Sequence, residues 1–417
     1  MANWDQLSVH LCSQMPRNGI LDGEDGRKKR LDKLEIISGI VARVEAGYGG
    51  PRANPVTLMK ARMKPEFIWD EIEELIIGRH LDSLDIYSAK EAREGRGKPL
   101  SSDQREAMWA IHQAFTHWLS SSGWTTWARV RANAAAQAEM LDESYKYDAI
   151  FIDEAQDMDS NASRMLSMLC KSRSRVFLAG DRDQSIYGVA VPWSRVHPDI
   201  DVRYGGRTTT LDVNYRSTEG IRRAVDFYLR QGGAEEEAEV PQLAIVVNHN
   251  ERLPIQVRIP SPDDEIETIR MILFNARIDQ KVVPGDCAVL IPGNEYAMDI
   301  AESLTENGLR SVYSPDKQID LSDRGCVKVI TQHSAKGLEF SLVIVAGFGQ
   351  ADQWRSERKD ADDYAEILNR HRRRIAMSMS RAREHLYVIL PSNLPTPLTI
   401  GMRRDLWKIQ DKGGQVL

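Results

Sequence analysis

The stretch YDAIFIDEAQDMDS (147–160) runs four apolar residues, Ala149 to Ile152, into the acids Asp153 and Glu154, with Gln156 and Asp157 close behind. Carboxylates hold cations or take up protons, so their placement decides what chemistry is open to them. The apolar run is too short for a buried helix and is rich in β-branched and aromatic residues, which predicts a core strand. Open α/β sheets bind ligands beyond the carboxyl ends of their strands. Asp153 and Glu154 stand where such a ligand would be. They suit equally a strand-to-helix turn with an acidic N-terminal cap.

Four further stretches pair polar residues with element ends. The strand VFLAG (176–180) leads into DRDQSIYG, with Asp181, Gln184 and Tyr187. LDVNYRS sets Arg216 just before a helical stretch. TQHSAKGLEF (331–340) follows a strand and carries His333, Glu339 and the pair Lys336-Gly337, which suits a close backbone approach. RRRIAMSMSRAREHLYVIL puts Arg373 and Arg381 eight residues apart on a helix that feeds a strand. Each has a purely structural reading: NYRS as a turn, KGLEF as a strand cap, SRAR as a solvated helical face.

The elements that must position these residues are legible in outline. Residues 1–140 read as mainly helical. Ser101 and Gln104 form the pattern of a capping box, and Met108, Ile111, Phe115, Trp118 and Leu119 then share one helical face, which predicts core. From Tyr147 short apolar strands alternate with helical stretches: 176–180, 287–292, 327–331, 341–347 and 385–390 are the clearest, and the alternation implies parallel α/β sheets. QGGAEEEAEVPQ (231–242) reads as a linker. The expected organisation is a helical region over 1–140, a partial first α/β domain over 146–230, a second over 243–392, and a tail over 393–417.

Composition bounds the rest. With 417 residues, 42% hydrophobic and 28% charged, the chain has room for two or three domains of ordinary soluble character. Cys12, Cys170, Cys287 and Cys326 are scattered, which argues against a zinc site or disulfide scaffold and suits a reducing cytoplasm. The net charge of −6 does not advertise nucleic-acid binding, and the basic runs at 27–30, 171–175 and 370–374 read equally as solvated faces.

Taken in order, DEAQD, GDxxQSIYG, NYRS, HxxKGLEF and RRxxxxxxSRARExLY resemble motifs II to VI of the UvrD/Rep family of superfamily 1 DNA helicases, from about residue 66 to 391 and most specifically from 147. The resemblance implies RecA-like motor domains that use ATP and Mg²⁺ to move along single-stranded DNA. By that resemblance Asp153 holds Mg²⁺ and Glu154 activates the attacking water. Gln184 senses the γ-phosphate, while Arg216 and Arg381 stabilise the charge that builds on transfer. Gln156 and Asp157 couple to motif III, and Asp181, Lys336, Gly337, Glu339 and Arg373 belong with nucleotide binding and coupling. Tyr187 stacks a base, Trp193 is a candidate stacking surrogate, and His333 lies near the DNA backbone.

The sequence also departs from the family. Nothing matches GxxxxGK[ST], the loop whose amides and lysine hold the phosphates. AGYGGPRANP (46–55) lacks the Lys-Ser/Thr pair, and in GRGKPL (95–100) Pro99 follows Lys98 and supplies neither hydroxyl nor amide donor. Charge-assisted hydrogen bonds are worth roughly 1.5–3 kcal/mol each. Losing a lysine and several amides therefore removes about 6 kcal/mol from a micromolar total of about 8 kcal/mol. VAVPW follows the motif III tyrosine, Ala376 stands where an aromatic is common, and Ser380 replaces a threonine. Only about 120 residues separate Arg216 from Lys336, too few for a large inserted arm. The expectation is a helicase or translocase-type protein with an incomplete first motor domain, whose P-loop lies in a separate polypeptide or was lost from the gene model. A non-hydrolysing single-strand-binding or regulatory subunit, and a truncated remnant, are the alternatives.

Overall fold

The computed structural model describes residues 3–12, 19–21, 26–47, 56, 64–93, 99–155, 158–180, 209, 211, 213–230, 245–246, 251–313, 320, 322–348, 364–392 and 396–412. The chain divides into two compact units, Met1–Thr209 and Thr210–Leu417.

In the first unit the helix Ser102–Ser122 starts where the sequence predicts. Ser101 Oγ accepts from the Gln104 amide and Gln104 Oε1 accepts from the Ser101 amide, at 3.3 and 2.9 Å. This reciprocal pair satisfies two donors that a helix start leaves unpaired. Met108, Ile111, Phe115 and Leu119 are buried. They pack with Ile37 and Ile40 of Gly26–Ala46 and with Phe67, Ile72 and Leu75 of the helical segment 65–77. Inside this apolar cluster the fully buried Glu71 carboxylate accepts from Arg93 at 2.5 and 3.0 Å and from the Tyr87 hydroxyl at 2.8 Å.

A second layer carries the acids. β1 (Gly19–Ile20) pairs with β2 (Trp124–Thr125) beside the helical cluster, and in the acid-bearing layer β3 (Ile150–Ile152) pairs with β4 (Val176–Leu178), both in parallel. Ile152 packs with Ala134, Ala135 and Ala138 of the helix Trp127–Met140 and with Ala162 and Met165 of Ser160–Met168. The other face of the β3/β4 pair is open: Phe151 is 78% and Phe177 51% exposed, their rings stacked at 4.7 Å. The expected division at residue 140 is not a break in the structure. Asn161 Nδ2 donates to the Ile77 carbonyl at 2.6 Å, and Arg164 Nη1 lies 2.8 Å from His80 Nε2. The helical layer and the acid-bearing layer are thereby fastened into one unit.

The second unit is built on a seven-stranded sheet. After the short parallel pair β5 (Val213–Asn214) and β6 (Ile245–Val246) come β7 (Ile255–Ile259), β8 (Cys287–Ile291), β9 (Ser311–Tyr313), β10 (Val327–Thr331), β11 (Phe340–Val345), β12 (Ala382–Pro391) and β13 (Lys408–Asp411). Their order is β13-β7-β12-β11-β8-β10-β9, and every pairing is parallel. Ala288, Leu290, Val343, Val345, Leu386 and Val388 face one core with the helices Glu219–Arg230 and Tyr364–Met379. Val289, Ile291, Leu342, Ile344, Tyr387 and Ile389 face the other, with Glu265–Asp279 and Asn294–Glu306. Cover on both faces is why these strands read as unbroken apolar runs.

Two expectations are corrected here. The 219–230 helix, grouped in the sequence with 146–230, belongs to the second unit, where Ile221, Ala224, Val225 and Tyr228 are buried. A Cβ on its Gly220 would stand 2.2 Å from the Arg252 carbonyl, so that residue alone lets the chain entering β7 cross the helix start. The stretch 393–417 is not a plain tail, because it supplies β13, an edge strand paired to β7. The linker 231–242 lies outside the described residues. Among the described residues no helix is long and apolar enough to cross a membrane.

Candidate functional site

Asp153 and Glu154 leave the carboxyl end of β3, as the apolar run predicts. Reciprocal backbone bonds tie the two strand ends: Ala179 N donates to the Ile152 carbonyl at 2.8 Å and Ala155 N to the Ala179 carbonyl at 2.9 Å. Between these anchors Glu154 adopts φ 53°, in the left-handed region, and its amide donates to Asp153 Oδ1 at 2.9 Å. That conformation costs a non-glycine residue about 1–2 kcal/mol.

Neither acid caps the following helix. Asp159 does so, accepting from the Ala162 amide at 2.7 Å and from Arg131 Nη1 at 3.0 Å. Burial pushes the Asp159 carboxyl up, opposed by the Arg131 charge. The acidic-cap reading of Asp153 and Glu154 is therefore set aside. Among the described residues no group of three or more His, Cys, Asp or Glu is placed to hold a metal. An adjacent carboxylate pair still fits Mg²⁺, which takes one or two protein carboxylates and completes its shell with water and phosphate oxygens. Gln156, Asp157, Asp181, Gln184, Tyr187 and Trp193 lie outside the described residues.

In the second unit three motif segments converge at the amino ends of β11 and β12. Phe340 N donates to the Arg381 carbonyl at 3.0 Å, and Thr218 N to the Arg383 carbonyl at 3.1 Å. Asn214 builds the turn that presents Arg216: its Oδ1 accepts from the amides of Arg216 and Ser217 at 2.8 and 3.2 Å, and its Nδ2 donates to Ser217 Oγ at 3.0 Å. A short side chain that mimics a backbone turn is what asparagine supplies there. Arg216 Nε then reaches Glu339 Oε2 at 2.9 Å.

Arg381 sits differently from Arg216. It is 1% exposed, with Nε donating to the Met377 carbonyl at 3.1 Å and Nη2 to Ser380 Oγ at 3.0 Å. It thus secures the carboxyl end of its own helix, where a cation is favoured. The solvent-facing cation of that strand is Arg383, which the motif pattern did not single out. Arg373 is partly buried on the preceding helix.

The segment 332–339 crosses from one edge of the sheet to the other. Thr331 is level with Ile291 at the carboxyl end of β8, whereas Leu342 is level with Cys287 at its amino end. Exposed His333 therefore stands near the carboxyl edge and Glu339 near the amino edge, with Lys336 partly buried along the path. Gly337 serves the turn rather than a close approach. It has φ 79°, and a Cβ there would meet nothing within 4 Å.

Residues 120–190 match the UvrD/REP helicase N-terminal domain, and residues 312–393 match the UvrD-like helicase C-terminal domain. In these two stretches the chain is UvrD/Rep-like. It is similar to the "Probable DNA helicase" of Mycoplasma pneumoniae, 23% identical over 255 residues that cover 59% of this chain and 44% of that protein. It is similar also to the ATP-dependent DNA helicase PcrA of Leuconostoc citreum, at 24% identity over 39% of this chain and 21% of that one. DNA helicase II of Escherichia coli gives 24% over 39% of this chain and 22% of its own. The chain thus spans less than half the length of these curated relatives. The UvrD/Rep-like matches enclose Asp153, Glu154, Gln184 and Tyr187 in the first unit. In the second they enclose His333, Lys336, Gly337, Glu339, Arg373, Arg381 and Arg383. Arg216 and Trp193 fall between the two.

Proposed function

We propose that this UvrD/Rep-like chain is part of an ATP-driven helicase or translocase motor acting on single-stranded DNA. The observation that carries the reading is the acid pair at the end of β3. It leaves the carboxyl end of a parallel strand, with Glu154 in the left-handed backbone region and the cap of the following helix taken by Asp159. Mg²⁺, when bound with the nucleotide, would supply neutralisation of the charge that develops on phosphoryl transfer. Asp153 would hold that ion, partly through water, and Glu154 would take the proton of the attacking water. Gln184 would sense the γ-phosphate. Arg216 would stabilise the transferred group, a role worth roughly 10³–10⁵ in rate for an arginine, and Arg381 would join it only by leaving the Met377 carbonyl and Ser380 hydroxyl that it bonds here. Gln156 and Asp157, with Asp181, Lys336, Gly337, Glu339 and Arg373, would couple nucleotide state to strand binding. Tyr187 and Trp193 would stack bases at about 1–3 kcal/mol each, with His333 at the backbone.

The 417 residues contain no GxxxxGK[ST], so the phosphate cradle would be supplied by another polypeptide segment. That same absence favours a second reading, a non-hydrolysing single-strand-binding subunit. Two measurements separate them. Fluorescence anisotropy at about 50 mM salt should show sequence-tolerant binding to single-stranded DNA without nucleotide, with a log–log salt slope near −0.7 per phosphate contacted. Phosphate release, after a family P-loop segment is fused upstream or co-expressed, should be DNA-stimulated and fall by orders of magnitude in Glu154→Gln. A soluble complemented complex that binds DNA but never hydrolyses ATP leaves the binding-subunit reading. Failure to bind DNA at all defeats both.

A further inference from the structure

Glu339 lies between two arginines that come from different motifs. Its Oε2 is 2.9 Å from Arg216 Nε and its Oε1 is 3.7 Å from Arg383 Nη1. Arg383 is also fixed through Nη2 to Ser341 Oγ at 2.8 Å, and its carbonyl accepts from Thr218 N. The two guanidinium groups are therefore anchored by separate backbone segments, while the carboxylate that joins them rides on the short stretch before β11. All three side chains keep 38–44% of their exposure, so a dissolved anion can reach them. Two buried polar atoms beside them, Arg383 Nε and Thr218 Oγ1, have no hydrogen-bond partner among the described residues.

We propose that Glu339 is a built-in counter-anion. It holds Arg216 and Arg383 on either side of one carboxylate and yields both to an incoming polyphosphate. The inference deepens the nucleotide reading above and rests on it, and it assigns Arg383 as a phosphate-binding residue. Carboxylate and phosphate present the same paired oxygens to guanidinium groups, so one can replace the other without rebuilding the arginines. The triad carries a net charge of +1, from two guanidinium groups and one carboxylate. An exposed ion pair is weakly held against competing ions. A tripolyphosphate, with several charges and oxygens, outcompetes a single carboxylate. Inorganic monophosphate, which engages both arginines less fully, does so poorly.

The test is isothermal titration of the full chain with inorganic tripolyphosphate at low salt, which probes the arginines without any ribose or base. Glu339→Gln raises the local charge to +2 and is expected to tighten binding roughly fivefold to tenfold. Arg383→Met in that background should cancel the gain, and Arg383→Lys should restore part of it. Arg383→Met alone should weaken binding severalfold, which keeps the proposal testable should Glu339→Gln misfold. Unchanged or weaker tripolyphosphate binding in a folded Glu339→Gln overturns the proposal, as does affinity indifferent to Arg383. Strand binding and Glu154-dependent hydrolysis are separate readouts. Their loss would defeat the motor reading, whereas a tripolyphosphate failure alone would defeat only the role given to Glu339 and Arg383.

Discussion

The backbone amide of Glu154 donates to the carboxylate of its neighbour Asp153 at 2.9 Å, with Glu154 held at φ 53°. Backbone strain at a residue whose side chain has no capping duty separates stability from function. Glycine meets no penalty at that φ, so Glu154→Gly should raise Tm by about 1–3 °C while abolishing complemented hydrolysis. Glu154→Gln keeps the strain and loses the base, and should leave Tm within about 1 °C of the parent. Calorimetry beside the phosphate-release assay reads both. A glycine variant that is less stable would mean the side chain is structural.

The stacked, exposed Phe151 and Phe177 leave one face of the β3/β4 pair apolar. Exposed apolar strands promote self-association. Phe151→Ser with Phe177→Ser should lower the apparent mass in light scattering at high concentration, at a stability cost of about 1 kcal/mol or less, because neither ring is buried. If the parent chain is already a clean monomer, this face is not an association surface.

The buried Glu71 carboxylate of the helical layer is paired to Arg93 and bonded to Tyr87. Arg93→Met removes its countercharge without a large change in volume. Leaving a buried charge uncompensated costs about 3–5 kcal/mol. Denaturant unfolding should show that loss, and Glu71→Gln combined with Arg93→Met should recover part of it. A single variant as stable as the parent would place the pair effectively in solvent.

Burial, then the Arg129 charge, depresses His112 to about 4 from an ordinary 6.5. The unfolded chain therefore takes up this proton at a higher pH than the folded one. The stability His112 contributes is complete above pH 6.5 and drains away as pH falls toward about 4. Melting curves across that window should fall more steeply for the parent than for His112→Gln, which cannot be charged. Parallel pH profiles would show that His112 titrates freely in the folded state.

The sequence by itself determined what local burial writes into residue type. β8, β10, β11 and β12 are legible because cover on both faces demands continuous apolar runs. The helix 102–122 is legible because its cap and its 3.6-residue period are both local. The order of the motif residues likewise needed no coordinates. β7, β9 and β13 were missed, the last two being edge strands of three and four residues with little periodic signal.

What only the tertiary structure decided is which polar groups meet. Asp159, one of four acids in 153–159, takes the helix cap and leaves Asp153 and Glu154 free of it. Arg381 turns back onto its own helix, and Arg383, two residues later, faces Glu339. Arg216 and Glu339 stand 123 residues apart along the chain. Residue type records whether a side chain can be charged or buried, but it holds no record of direction. Direction comes from the strand register and from the turn at Asn214, which are fixed only when distant segments share one sheet edge.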